Sequence, residues 1–231
     1  MITFSLVLMS RSRPLLLTSL LSSFIGKSRL ENEMLVGLDS DDPYLDDYLL
    51  IGGLLPNKVK FDIKDRDSNL HSRINSMVDK ISGKYIFVLN DDCLLLTDGW
   101  DEYSAGILDN FGDIVYGRTY DNSIDRVNDK YAAFPIMSRK AVDKLGFIMD
   151  ETLGNHGCDV IMHRIFEYAG AVVDLPNVRI DHVFHNSNDS LLARQKDRTA
   201  VEMINRTFSK DFSLDLLFNM DISEKAQRLT Q

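Results

Sequence analysis

What most constrains this chain is a series of short apolar runs set between stretches of helical spacing. Residues 3–9, 34–38 and 85–89 are short apolar runs with little alternation, as expected of strands buried on both faces, and residues 58–63 read as a further strand between the second and the last of them. After the first run, Leu16, Leu20, Leu21 and Phe24 recur at helical spacing. Ser12 is the expected cap of that helix, Pro14 lies in its first turn and Gly26 stops it. Before the last run, Ile74, Met77, Val78 and Ile81 mark a helix over residues 70–81, broken by Gly83. Strands alternating with helices in this way dictate an α/β fold, with a mostly parallel central sheet flanked by helices.

Ligands of such sheets bind beyond the carboxyl ends of the strands. Here the first run ends on Ser10 and Arg11, the second on Asp39, and the last on Asn90-Asp91-Asp92. Each alone reads as a turn or a cap. Together they line one edge.

After this half the pattern loosens. Residues 114–116 and 132–137 read as strands joined by a polar stretch over 118–130. Residues 138–145 and 158–168 read as helices, and 171–175 and 178–184 as strands of a small second sheet. An amphipathic helix is expected over 191–208, and the tail keeps Phe212, Leu214, Leu216, Leu217 and Phe218. The expected division is a domain over residues 1–187 and a C-terminal helical extension over 188–231. That extension would pack on the domain or on a partner subunit, as in a homodimer.

The 231 residues carry a formal net charge of −9, which disfavours a dedicated polyanion binder but allows a local basic pocket for one diphosphate. Cys93 and Cys158 are the only cysteines and form no C-x-x-C pair, which suggests a reducing compartment. No run reaches the roughly 20 apolar residues that a membrane span needs. The expected location is the cytoplasm.

The strongest local signal is Tyr85-Ile86-Phe87-Val88-Leu89-Asn90-Asp91-Asp92. A buried strand delivering adjacent carboxylates to a loop makes a hard-oxygen site for Mn2+ or Mg2+. Such an ion stabilises a diphosphate leaving group as a Lewis acid. For the triplet alone, an acidic turn capping the next element is an equal reading.

The surrounding blocks shift that balance. Phe4-Ser5-Leu6-Val7-Leu8 with Arg13-Pro14, Met34-Leu35-Val36-Gly37-Leu38-Asp39-Ser40, and Ser72-Arg73-Ile74-Asn75 resemble family-2 glycosyltransferases of the GT-A fold. So does the stretch from Ser82-Gly83-Lys84 through Asp92 to Gly99-Trp100. The resemblance implies the GT-A (nucleotide-diphospho-sugar transferase) fold and a metal-dependent hexosyl- or pentosyltransferase, inverting at the transferred carbon. It implies a nucleotide-diphosphate sugar as donor. The acceptor is open among a glycan, a lipid-linked sugar, a protein and a modified nucleobase.

Residue roles come from the same resemblance. Asp92 would be the metal ligand, and Asp91 would face the ribose or share the ion. Asp39 would read the base, Arg73 would contact the diphosphate, and Ser10 and Arg11 would lie on the donor side. His182 or His185 would complete the metal site. His182 is ahead because it shares a strand face with Ile180 and Phe184. An imidazole beside carboxylates favours Mn2+ over Mg2+. Asp159 matches the catalytic base at the head of a helix, and Asp150, Glu151 and Trp100 fall on the acceptor side.

Two positions depart from the family pattern. Asn90 stands where the Asp-x-Asp motif has its first acid, and Cys158 replaces the first acid of the Glu-Asp pair. They support the alternative of a non-catalytic nucleotide-sugar- or glycan-binding module. A nucleotidyltransferase is disfavoured, because Ser10-Arg11-Ser12-Arg13-Pro14 lacks the glycines of a phosphate loop.

Overall fold

The computed structural model describes residues 1–55, 57–67, 69–122, 131–151, 158–183 and 215–231. Strand β1 (Phe4–Met9) shows why the sheet is buried twice. Successive side chains alternate across a strand, so Phe4, Leu6 and Leu8 enter one core cluster and Val7 the other. Its parallel neighbours β2 (Asn32–Asp39) and β4 (Tyr85–Val88) divide likewise, Val36 and Phe87 to the first cluster, Leu35 and Ile86 to the second.

Helices α1 (Pro14–Lys27), α2 (Leu45–Gly53) and α4 (Trp100–Phe111) cover the first face through Leu17, Leu20, Phe24, Tyr48, Trp100 and Leu108. The second face takes α3 (Leu70–Asn75), α5 (Arg139–Leu145), α6 (Cys158–Tyr168) and α7 (Asp215–Thr230). Ile222, Ala226 and Leu229 of α7 lie in that second cluster. The C-terminal helix is therefore packed on this chain's own α5 and α6.

The remaining strands are β3 (Val59–Lys64), β5 (Cys93–Leu95), β6 (Tyr116–Asp121), β7 (Pro135–Ser138) and β8 (Val172–His182). Their order in the sheet is β3-β2-β1-β4-β7-β6-β8-β5. The first four are parallel, β7 is antiparallel to β4 and β6, and β8 runs parallel to β6. The strands expected to form a separate small sheet thus continue the main one through β7.

The connection after β4 matters most for the site. The chain leaves β4, passes through residues 89–92 and immediately forms β5, which pairs with β8 at the far side of the sheet. Cys93 pairs with His182. The sheet must curl to allow this, and the curl carries the end of β8 to the acidic triplet.

Other differences have local causes. The helix expected over 70–81 stops after Asn75 and resumes only as a short turn over Val78–Lys80, because the Asn75 side chain is turned to residues 148–151. The strands expected over 171–175 and 178–184 are one strand, whose register against β6 shifts between Arg118 and Tyr120. Arg13, not Ser12, stands at the head of α1, and Ser12 adopts a left-handed φ of 56° with its N–H on the Asp42 carboxylate. The helix expected over 191–208 lies outside the described residues. Among the described residues no helix is long and apolar enough to cross a membrane.

Candidate functional site

Asp91 and Asp92 follow β4 in the turn that Cys93 N–H closes on the Asn90 carbonyl. Asn90 itself is exposed, whereas Asp91 is fully buried and Asp92 nearly so. Buried carboxylates require partners. Ser10 Oγ, at the end of β1, donates to Asp91 Oδ2 at 2.6 Å. With its one proton committed there, Ser10 accepts from Tyr48 Oη at 2.7 Å, and Tyr48 accepts from the Arg13 N–H at 2.8 Å. Loop, helix α2 and triplet are thereby joined by one chain of hydrogen bonds. Burial is the largest influence on Asp91 and raises its carboxyl to about 6, against the opposing pull of Arg13 and Ser10.

Asp92 has a different neighbour. His182 Nε2 lies 3.1 Å from its Oδ1, and Val183 N–H donates to its carbonyl. Burial pushes the Asp92 carboxyl up, but His182 and Arg13 outweigh it and hold the group below its ordinary range. Asp121, at the end of β6, stands 4.0 Å from His182 Nδ1, so the imidazole sits between two carboxylates. Phe134 packs edge-on against the same ring. The Arg13 guanidinium completes the group, 2.7 Å from Asp91 Oδ1 and 3.6 Å from Asp92 Oδ2.

Asp39 closes β2 at the same edge. Arg11 Nη1 donates to its carboxylate at 2.8 Å and to Asp41 at 2.6 Å. Ser10, Arg11, Asp39, Asp91 and Asp92 therefore lie at the carboxyl edge where the strand pattern puts them, and His182, named from the resemblance, meets Asp92 there. His185 lies outside the described residues. Cys158 and Asp159 open α6, where Cys158 is buried. Asp159 accepts from the Val160 N–H.

Arg73 is placed elsewhere. It is 3% exposed, and its terminal nitrogens donate to the Asp62 carboxylate and carbonyl, to the Leu38 carbonyl and to Ser76 Oγ. It braces β2, β3 and α3 from inside and presents nothing to a diphosphate, because a buried Asp62 demands a cation. Trp100 is likewise not on an acceptor surface. It is fully buried against Phe4 and Phe87, and its Nε1 donates to Ser28. So large and apolar a ring packs in the core, whichever segment precedes it in sequence.

The acid pair splits. Asp150 is buried with Lys225 of α7 on its carboxylate at 2.6 Å, whereas Glu151 is exposed and takes the Asn75 amide at 2.8 Å. Asn75 also receives the N–H groups of Ile148 and Met149 and donates to the Met149 carbonyl. This clasp holds residues 148–151 to α3. Arg13, Tyr48, Asn75 and Asp121 are the site residues that sequence reasoning passed over. Arg13 and Asn75 had a local signal, each inside a family-like block, whereas Tyr48 and Asp121 had none.

The donor set suits a hard divalent ion. Among the described residues no group of three or more His, Cys, Asp or Glu side chains is gathered to hold one alone. Asp91 Oδ1 and Asp92 Oδ1 are nonetheless buried oxygens without an aligned hydrogen bond, the first 2.7 Å from the Arg13 guanidinium and the second 3.1 Å from His182 Nε2. Mg2+ and Mn2+ are commonly held by one or two carboxylates, with phosphate oxygens and water completing the shell. Asp92, Asp91 and His182 fit that arrangement.

No family model matches the chain, and no curated protein sequence matches it. Solved structures do. S. aureus TarS 1-349 in complex with UDP is similar over 98% of this chain and 77% of its own, with a TM-score of 0.65 at 14% identity. The mannosyltransferase PcManGT from Pyrobaculum calidifontis, in complex with GDP-Man and Mn2+, matches over 98% of this chain and 73% of its own. Its TM-score is 0.68 at 9% identity. GalNAc-T7 with UDP, GalNAc and Mn2+ matches 78% of this chain with 43% of its own, with a TM-score of 0.62 at 15% identity. These are GT-A-fold glycosyltransferases. The fold of this chain is GT-A. The likeness is one of architecture, and the chemistry of this chain rests on its own residues.

Proposed function

We propose that the protein is a metal-dependent glycosyltransferase that takes its sugar from a nucleotide-diphosphate sugar and inverts the transferred carbon. The observation that supports this most is the meeting of Asp92 and His182. They come from opposite halves of the chain, and only the crossing of β5 to β8 brings them together.

In this reading Asp92 and His182 hold Mn2+ or Mg2+, with His185 as the neighbouring alternative. The imidazole favours Mn2+. Bound there, the ion would supply Lewis-acid stabilisation of the diphosphate leaving group. The chain's own groups do the rest. Asp91, fixed by Ser10, faces the ribose or shares the ion. Asp39, with Arg11 beside it, orients the base. Asp159 takes the proton from an acceptor hydroxyl as general base. Glu151, held by Asn75, borders the acceptor side, and the acceptor is a glycan, a lipid-linked sugar, a protein or a modified nucleobase. Cys93 and Cys158 are buried free thiols, which fits a reducing compartment, and we place the protein in the cytoplasm.

The experiment is a panel of UDP- and GDP-sugars, assayed for hydrolysis and transfer with Mn2+, Mg2+ or a chelator. Turnover is expected with one donor, lost with chelator and lost in Asp92→Ala. Asp159→Asn is expected to keep nucleotide affinity while losing transfer. Full turnover in chelator would remove the metal from the account. Binding without turnover for every donor would favour the non-catalytic module that Asn90 and Cys158 suggest.

A further inference from the structure

Two arginines of one loop sit on two acidic stations. Arg11 covers Asp39 and Asp41, and Arg13 covers Asp91 and Asp92. The backbone of that loop is pinned. Ser12 N–H is held by Asp42 at 2.7 Å, Arg13 N–H by Tyr48 at 2.8 Å, and the Arg13 carbonyl accepts from Leu16 and Leu17 at the head of α1. Pro14 comes next, in the first position of the helix. Nothing pins the Arg13 guanidinium in the same way. Its side chain is 47% exposed and touches the two carboxylates as a charge, without an aligned hydrogen bond to Asp91 Oδ1.

We propose that Arg13 is an exchangeable counter-cation. It neutralises the Asp91–Asp92 pair when no ligand is bound and moves onto the phosphates when a divalent ion and a nucleoside diphosphate enter. This rests on the proposed function, since it takes the triplet as the metal and diphosphate site. Two adjacent buried carboxylates need a positive partner. A guanidinium within 4 Å of both carboxylates repels a divalent ion bound to either of them. The displaced guanidinium is half in solvent already and needs only a side-chain rotation. An arriving diphosphate offers it oxygens that match its planar fork.

The exchange couples the two ligands. Metal alone must expel Arg13 into water, so it binds weakly. Diphosphate gives Arg13 a new partner, so each ligand strengthens the other. Direct contact between metal and diphosphate couples the two ligands whatever Arg13 does, so the mark of the exchange is that loss of Arg13 moves the two affinities in opposite directions.

The test is titration of wild-type protein, Arg13→Gln and Arg13→Lys with Mn2+ alone, and with UDP and GDP separately at saturating Mn2+. Free Mn2+ is followed by electron paramagnetic resonance and nucleotide by calorimetry. In Arg13→Gln, Mn2+ alone is expected to bind about tenfold tighter and nucleotide about tenfold weaker, so the two affinities move in opposite directions. Arg13→Lys, which keeps the charge and loses the fork, is expected to keep wild-type Mn2+ affinity and lose part of the nucleotide affinity. The unfolding midpoint of each variant shows that the fold is intact. Unchanged or weaker Mn2+ binding in a folded Arg13→Gln would overturn the exchange while leaving the metal site standing. Absence of Mn2+ binding in wild type and Arg13→Gln alike would overturn both.

Discussion

Replacing Asp91 by Asn changes the charge of the site and almost nothing of its shape. Asp91 is fully buried, and its carboxyl is raised from an ordinary 3.8 to about 6, chiefly by burial. The folded state therefore binds this proton more tightly than the unfolded chain does. Stability falls as pH rises from about 4 to 6 and stays lowered above that range. The full difference corresponds to roughly 3 kcal/mol at pH 8, shrinking to about 1 kcal/mol at pH 4.5. Asn keeps an oxygen for the Ser10 hydroxyl and carries no charge to desolvate, but its buried amide N–H group faces the Arg13 guanidinium without an acceptor, which costs about 1 kcal/mol. Arg13 loses an ion pair but is half in water, so that loss is small. Urea unfolding without divalent ions is expected to find Asp91→Asn more stable than wild type by about 2 kcal/mol at pH 8, with most of the gain gone at pH 4.5. The same variant is expected to lose nucleotide affinity in Mn2+. A variant less stable than wild type at pH 8, or one whose gain ignores pH, would refute the assignment of Asp91 as a strained, buried charge.

Arg73→Met removes the guanidinium facing buried Asp62 and is expected to cost about 3 kcal/mol in urea unfolding. Nucleotide affinity of the folded variant should stay unchanged, and its loss would restore a donor role to Arg73. Burial raises Asp62 and Glu33, but Lys80 and Arg73 on the first and Lys60 and Ser5 on the second bring both below their ordinary 3.8 and 4.5. Their folded values lie below the unfolded ones, so their stabilisation is present above those values and lost as pH falls through them. Thermal midpoints should therefore drop on acidification below about pH 4, and less steeply in Asp62→Asn. Leu229→Ala in α7 is expected to cost about 3 kcal/mol, because Leu229 is buried in the second core cluster. A near-neutral result would show that α7 does not dock where the structure has it.

The edge of the site was legible because each apolar run is local. Leu6, Val7, Leu35, Val36, Ile86 and Phe87 are buried on both faces of the sheet, so their runs lack alternation and announce themselves. The polar residues just beyond them then had to share one edge. Partners across the sheet carry no such local mark. The helical spacing around Arg73 is the same whether the side chain meets water, phosphate or Asp62, and only the β2–β3 pairing decides it. Trp100 likewise comes after the acidic strand in sequence but turns into the first core cluster. His182 and Asp121 reach Asp92 through β8 and β6, strands set by pairings between distant parts of the chain. The apolar signals of β5 and α2 were too short or too exposed to stand out, since Leu49, Leu50 and Leu54 face solvent.

The central claim is that Asp92 and His182 form the metal and diphosphate site. Crystals grown with Mn2+ and UDP, measured at the manganese absorption edge, test it most directly. The account predicts one anomalous peak within about 2.3 Å of an Asp92 oxygen and a His182 nitrogen, with the diphosphate completing the shell. A manganese peak elsewhere, or bound UDP with no peak between Asp92 and His182, would contradict it.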